Sequence, residues 1–270
     1  MADNKITDLE NKLRTRMSRF MRNVREKRPE IDVFFELIRK HNTEVPAYLC
    51  GGAARNLLLS NNTALPRDLD IILGYTSLES IFSFTNNYKK RNNRFGGVSF
   101  EIKDWAIDIW PLSDTWAFKE KHINGNGFSD FPQTTFLDIE AITIELFCRK
   151  GFKRKIYSKG FFESILKRTI EINFEDNPFP AACVARSLAV ADRFDFAMGP
   201  KLAKYIEHHV REIELEELQN ICRSRYYNIK IENLQNYINA IKSQLRISKD
   251  QPVTLPKIPQ YNKTTLFDLL

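Results

Sequence analysis

Three aspartates carry the chemistry that this sequence offers. Asp68 and Asp70 stand two apart in RDLDIIL, and Asp108 stands in WAIDIWPL, flanked by Ile107 and Ile109. Both runs read as strands. Residues two apart on a strand share a face, so Asp68 and Asp70 point the same way, and the isoleucines beside Asp108 turn to the other side. Carboxylates held so close raise each other's pKa unless a cation sits among them. Magnesium, which takes one or two carboxylates plus substrate phosphates, is the natural cation. Two acids on one strand and a third on its neighbour would hold two Mg2+ ions about 3.5–4 Å apart, a geometry that activates an attacking hydroxyl and stabilises a leaving pyrophosphate. Asp104 is the rival third acid, but its position in a turn suits it less.

Upstream, LCGGAARNLLL sets Gly51 and Gly52 between an apolar run and a helical pattern, with Arg55 one turn into that helix. Read alone, the glycine pair is a tight turn. Read with the acids, it lets backbone N–H groups approach a triphosphate with no Cβ in the way, and Arg55 adds a charge-assisted contact.

GGAARNLLL followed by RDLDIIL resembles the head-domain signature of the DNA polymerase β-type nucleotidyltransferases, and within them the class II tRNA CCA-adding enzymes and bacterial poly(A) polymerases. The resemblance implies that Gly51, Gly52 and Arg55 hold an incoming NTP, that Asp68 and Asp70 ligate magnesium, and that Asp108 is the third acid. FLDIEAITIEL is similar to the family's strand after its nucleotide-binding motif, and EDNPFPAACVARSLAVADRFDF to its first neck helix, so the likeness extends over roughly residues 45 to 200. The departures are specific. Asn56 replaces the acid that usually follows the helix arginine, and PQTTF stands where an Arg-Arg-Asp motif is expected. Glu175 and Asp176 are kept in the neck motif, but Pro180, Ala181 and Ala182 stand where an arginine belongs, which leaves Arg186 as the nearest basic candidate for a base or acceptor contact. In the family the missing residues select CTP and ATP. The expectation is a diverged member that keeps the phosphoryl-transfer centre without the basis for ordered CCA synthesis.

The bulk composition agrees with an ordinary globular chain. Over 270 residues, 41 Lys and Arg against 34 Asp and Glu give a net charge of +7, which suits a polyanionic partner. Cys50, Cys148, Cys183 and Cys222 form no C-x-x-C pair, so reduced thiols rather than a zinc site are expected. No apolar run approaches about 18 residues, and the expected setting is cytoplasmic, with no membrane partner.

The elements that must position the site follow from periodicity. The fold class read here is α+β: a nucleotidyltransferase head with a small mixed sheet flanked by helices, followed by an all-helical C-terminal part. The boundaries read as 1–28 for a basic amphipathic N-terminal helix, 29–172 for the head, and 173–270 for a helical neck and body with an irregular tail. In the first helix Ile6, Leu9, Leu13, Met17, Phe20 and Val24 form one face. Lys12, Arg16, Arg19, Arg22 and Arg25 form the other, read as a solvated surface or, alternatively, as a ridge for RNA phosphates. NNYKKRNNRFGG reads as a basic loop with Lys89, Lys90, Arg91 and Arg94. Arg149, Lys150, Lys153, Arg154 and Lys155 form a second basic cluster. Ser113 or Asp114 would cap a helix from which Thr115 reaches the sugar or triphosphate. Trp105 and Trp110 read as core, Trp116 as core or a base-stacking contact, and His208 and His209 as surface residues.

The function these readings imply is magnesium-dependent transfer of NMP from an NTP to an acceptor hydroxyl, with an RNA 3′ end, above all tRNA, as acceptor. The alternatives are nucleotidylation of a protein or small nucleotide by a toxin or antiphage effector, which would bring an inhibitory protein partner, or an inactive relative that binds RNA or NTP.

Overall fold

The computed structural model describes residues 2–41, 46–60, 68–74, 76–93, 96–149 and 151–257. Arg94, Lys150, the turn-rich segment up to Pro66 and the end of the tail lie outside them. The described chain forms helices α1 (Ala2–Lys27) and α2 (Pro29–His41), strand β1 (Ala47–Cys50), α3 (Gly51–Leu59), β2 (Asp68–Leu73) and α4 (Leu78–Phe84). Strands β3 (Lys90–Asn92), β4 (Val98–Ile102) and β5 (Trp105–Pro111) follow, then the short α5 (Trp116–Lys119), β6 (Ile142–Glu145), β7 (Ile156–Ser158) and α6 (Phe161–Lys167). The C-terminal part contains β8 (Thr169–Ile170), α7 (Pro180–Phe194), β9 (Ala197–Met198), α8 (Pro200–His209), α9 (Leu215–Arg225) and α10 (Ile231–Ile247). The chain divides into two compact units, one of residues 1–135 and 140–162, the other of 136–139 and 163–270.

The first unit is built on a seven-stranded mixed sheet in the order β3-β4-β5-β2-β1-β6-β7. Only β2 and β5 pair in parallel; every other neighbour is antiparallel. Alternation sets its two faces. Leu49, Ile71, Ile107, Ile109 and Phe100 are fully buried on one of them. Helices α1 and α2 cover that face: Phe20 packs on Trp105 with ring centroids 6.1 Å apart, and Phe34 on Phe100 at 5.0 Å. The apolar stripe of α1 is buried at Leu13, Met17, Phe20 and Val24, as a three-to-four-residue spacing requires.

Two expectations are corrected here. The basic stretch at 89–97 is not only a loop, since Lys90–Asn92 forms the edge strand β3. An edge strand with one neighbour and polar side chains has no apolar alternation to reveal it. Neither Ser113 nor Asp114 caps α5. Leu112–Asp114 is itself a 3-10 turn, and Thr115 takes the cap position without a side-chain cap bond.

The second unit is helical apart from one short parallel ladder between β8 and β9. α7 buries Val184, Ala185, Leu188 and Ala189. Glu171 closes the start of α8, where its carboxylate accepts from the N–H groups of Leu202 (2.7 Å) and Lys201 (3.1 Å). Gly199 leaves room for it, since a Cβ there would lie 2.3 Å from Glu171 Oε2 and the carboxylate would have to shift. Asp138 accepts from the N–H of Glu171, and burial raises its carboxyl to about 7. The part of the tail that is described pairs Val253 with Met198 through two backbone bonds of 2.7 and 2.8 Å.

Candidate active site

The face of the sheet opposite α1 and α2 carries the acids. The strand registers align one residue from each strand in a single row: Arg91, Ser99, Asp108, Asp70, Cys50, Thr143 and Tyr157. In-register neighbours on paired strands share a face, so all seven side chains rise on the same side. Asp70 and Asp108 are therefore direct neighbours across the parallel β2–β5 pair. Asp68, two residues back on β2, joins that face in register with Ala106.

The electrostatics fit this proximity. Asp68 is exposed at the start of β2, yet desolvation by the surrounding protein, and then the negative charge of Asp108, hold its carboxyl above the usual range. The Cys50 thiol is pushed well up by burial and next by the charges of Asp70, Glu140 and Asp108, so it stays neutral. Ser99 donates its hydroxyl to Asp108 Oδ1 and fixes the orientation of that carboxylate.

The glycine helix meets the acids at its start. Gly51 opens α3 with φ +62°, a left-handed conformation suited to glycine, and a Cβ there would lie 3.7 Å from Asp70 Oδ2. Gly52 lies against the Arg55 guanidinium. Arg55 itself is buried. It pairs with Glu140, and its Nε and Nη2 both donate to Asn56 Oδ1 at 3.2 Å. Asn56 thus holds the arginine by hydrogen bonds while Glu140 supplies the countercharge. The far end of α3 is held as well: Arg16 of α1 donates through Nη1 to the carbonyls of Leu57 (3.0 Å), Leu58 (2.8 Å) and Ser60 (2.9 Å). Arg16 is therefore removed from the solvated face assigned to it from the sequence.

Beyond the acids the same face turns apolar. Cys50, Ile72, Leu112 and Phe131 form a buried cluster that Trp110, Phe118 and Phe128 border. Thr115 accepts from Trp110 Nε1 at 3.2 Å, which ties it to this wall. Trp116 stacks on His122 with centroids 4.6 Å apart. Asp104 sits in the β4–β5 turn, outside the row. Arg186 belongs to the second unit, where its Nε donates to the Tyr226 hydroxyl at 3.1 Å.

Among the described residues, no three or more His, Cys, Asp and Glu side chains gather into a set that could hold a metal ion by themselves. The donor chemistry fits magnesium in a different form. Carboxylate oxygens are hard ligands, the Asp68 carboxyl is held up by desolvation first and by the charge of Asp108 next, and magnesium needs only one or two carboxylates when phosphates complete its shell.

No family model matches the sequence, and no curated protein matches it. Solved structures do. A CCA-adding enzyme in an apo form is 19% identical with a TM-score of 0.56, over 83% of this chain and 53% of that one. A tRNA-processing enzyme complex gives 15% identity and a TM-score of 0.54, over 76% and 55% of the two chains. This is a nucleotidyltransferase fold. A tRNA nucleotidyltransferase complexed with a primer tRNA and an incoming ATP analog shares it at 15% identity and a TM-score of 0.52, over 84% of this chain and 63% of that one. The chain spans between about half and two thirds of the length of these three structures.

On the nucleotidyltransferase fold, two residues that sequence reasoning passed over and one that it placed on the surface now stand out. Ser99 is the polar residue that alternates with Val98 and Phe100, a signal that it shares a face with Asp108. Glu140 is an acid inside an apolar run and needed a buried partner. Arg16 carried no local signal, since its partners are some 40 residues away in the chain.

Proposed function

We propose that this protein is a magnesium-dependent nucleotidyltransferase that moves NMP from an NTP to the 3′ hydroxyl of an RNA, with tRNA the favoured acceptor. The observation that carries the reading is the juxtaposition of Asp70 with Asp108 across adjacent parallel strands, with Gly51 opening a helix against the Asp70 carboxylate. The nucleotidyltransferase fold and the positive net charge support it.

Asp68, Asp70 and Asp108 would hold the magnesium ions, which supply charge neutralisation at the phosphates and lower the pKa of the attacking hydroxyl. The start of α3 presents backbone N–H groups and the positive end of the helix dipole to the triphosphate. Arg55, buried and held by Glu140 and Asn56, would fix that turn in place. Ser99, on the other side of Asp108 from Asp70, holds one oxygen of the Asp108 carboxylate. The apolar wall at Trp110 and Phe131 begins two residues along β2 and β5 from Asp70 and Asp108.

The experiment is to incubate the protein with each labelled NTP, magnesium and total tRNA, beside an Asp68→Asn/Asp70→Asn variant. Label on RNA with wild type alone is the expected result. Label on protein would replace the RNA acceptor with a protein one. NTP binding without product under any acceptor would make the chain a binding protein instead of an enzyme.

A further inference from the structure

The connection between β6 and β7 presents an aromatic side chain to solvent among cations. Phe152 is 75% exposed, and it is the one Phe, Tyr or Trp among the described residues whose side chain stands open to this degree. Arg149, Lys153 and Lys155 around it are exposed too. An open phenyl ring between solvent-facing cations offers a π-face and positive charge together, the pairing that single-stranded nucleic acid uses.

The turn that carries it is braced. Arg154 donates through Nη1 to the carbonyls of Glu145 (2.8 Å) and Leu146 (2.6 Å), and its own carbonyl accepts from Arg14 of α1 at 3.1 Å. The Cys148 thiol donates to the Phe152 carbonyl at 3.0 Å, and the Phe152 N–H to the Arg149 carbonyl at 3.1 Å. Phe147, at the base of the turn, packs edge-on against Phe35 of α2. Arg154 is thereby a structural clasp, which takes it out of the basic cluster and leaves, among the described residues of that cluster, Arg149, Lys153 and Lys155 facing solvent.

We infer that this turn is a platform for single-stranded RNA, with Phe152 stacking on a base and Arg149, Lys153 and Lys155 contacting the flanking phosphates. Every base has a π-face, so one exposed ring beside cations binds single strands without reading sequence. The turn leaves the sheet at the Ala47 end of β1, where Leu146 N–H bonds to the Ala47 carbonyl, whereas Asp70 pairs with Cys50 at the other end. At 3.3 Å per residue the two ends are roughly 10 Å apart along the strands. The platform therefore grips RNA a few nucleotides upstream of the 3′ end. The inference rests on the reading of the acceptor as RNA.

The test compares wild type with Phe152→Ala, Phe152→Trp and an Arg149→Gln/Lys153→Gln variant, all in the full chain. Binding of a short fluorescein-labelled single-stranded RNA is read by anisotropy across a salt series. Phe152→Ala should weaken binding by about tenfold and Phe152→Trp should keep it. The double charge variant should weaken it and flatten the salt dependence. NTP binding, measured in parallel, should be the same in all four proteins. Unaltered RNA binding by Phe152→Ala, or equal loss with Trp and Ala, overturns the platform. So does absence of RNA binding by wild type, which would fit a protein partner at this turn. If Phe152-dependent RNA binding occurs without any nucleotide transfer, the platform stands and the proposed activity falls. If transfer to tRNA proceeds in Phe152→Ala with wild-type KM, the activity stands and the platform falls.

Discussion

One methyl group at Gly51 would test the contact between the start of α3, proposed to face the phosphates, and the acids. The backbone there is left-handed, so alanine is strained whatever the space around it, although the space itself is ordinary at 3.7 Å from Asp70 Oδ2. Gly51→Ala should cost about 1–2 kcal/mol of stability, read by denaturant unfolding, and should weaken NTP binding beyond that loss. Glu140 offers a sharper test, because it is the countercharge of a buried guanidinium. Glu140→Ala removes the ion pair of a buried guanidinium that keeps its hydrogen bonds to Asn56 Oδ1, and should destabilise the protein by about 3–5 kcal/mol. The double variant Arg55→Met/Glu140→Leu should recover much of that stability without recovering NTP binding. Stability and nucleotide affinity would then separate, as expected of a pair that positions the site.

Helix α3 is the element on which the site depends most, and it is held at both ends by residues from elsewhere in the chain. Its last carbonyls are gathered by Arg16 of α1, a cationic cap at the negative end of the helix dipole. Arg16→Ala should lower stability by about 1–2 kcal/mol and raise the KM for NTP more than it lowers kcat, while Arg16→Lys should restore part of both. The sequence showed α3 and its neighbours because they alternate or repeat in ways that only one element satisfies: RDLDIIL as a strand, the stripe from Leu13 to Val24 as a helix face. It showed the three aspartates for the same reason, since acids in apolar strands violate the pattern. Other features were illegible for physical causes. β3 is an edge strand without apolar alternation, and the β8–β9 ladder is two residues long. Arg16 and Glu140 act through partners 41 and 85 residues away, and no local pattern encodes such a distance. FLDIEAITIEL, likened as a whole to a strand, holds a 3-10 turn at Asp138–Glu140 before β6.

For the molecule as a whole, charge and pH are the measurable handles. With a net charge of +7, binding to RNA should fall steeply as salt rises, whatever the sequence of the RNA. Asp138 gives stability a pH dependence of definite sign. Its folded carboxyl titrates at about 7, above the ordinary value near 3.9, so between these limits the folded state holds a proton that the unfolded state has released. Stability should therefore decline as pH rises from about 4 to 7. Asp138→Asn, which keeps an acceptor for the Glu171 N–H, should flatten that decline in thermal unfolding scans. No helix among the described residues is long and apolar enough to cross a membrane.

The row that runs across all seven strands has one more consequence. On β2 the aspartates alternate with Leu69 and Ile71, which are buried against the opposite layer. A slip of β2 by one residue during folding would turn the carboxylates into that layer and the aliphatic side chains out to the site. Misfolded chains of that kind could not retain a partial site, because the pairing that ruins the core also empties the row. The pairing that builds the core and the pairing that assembles the row of acids are thus one and the same.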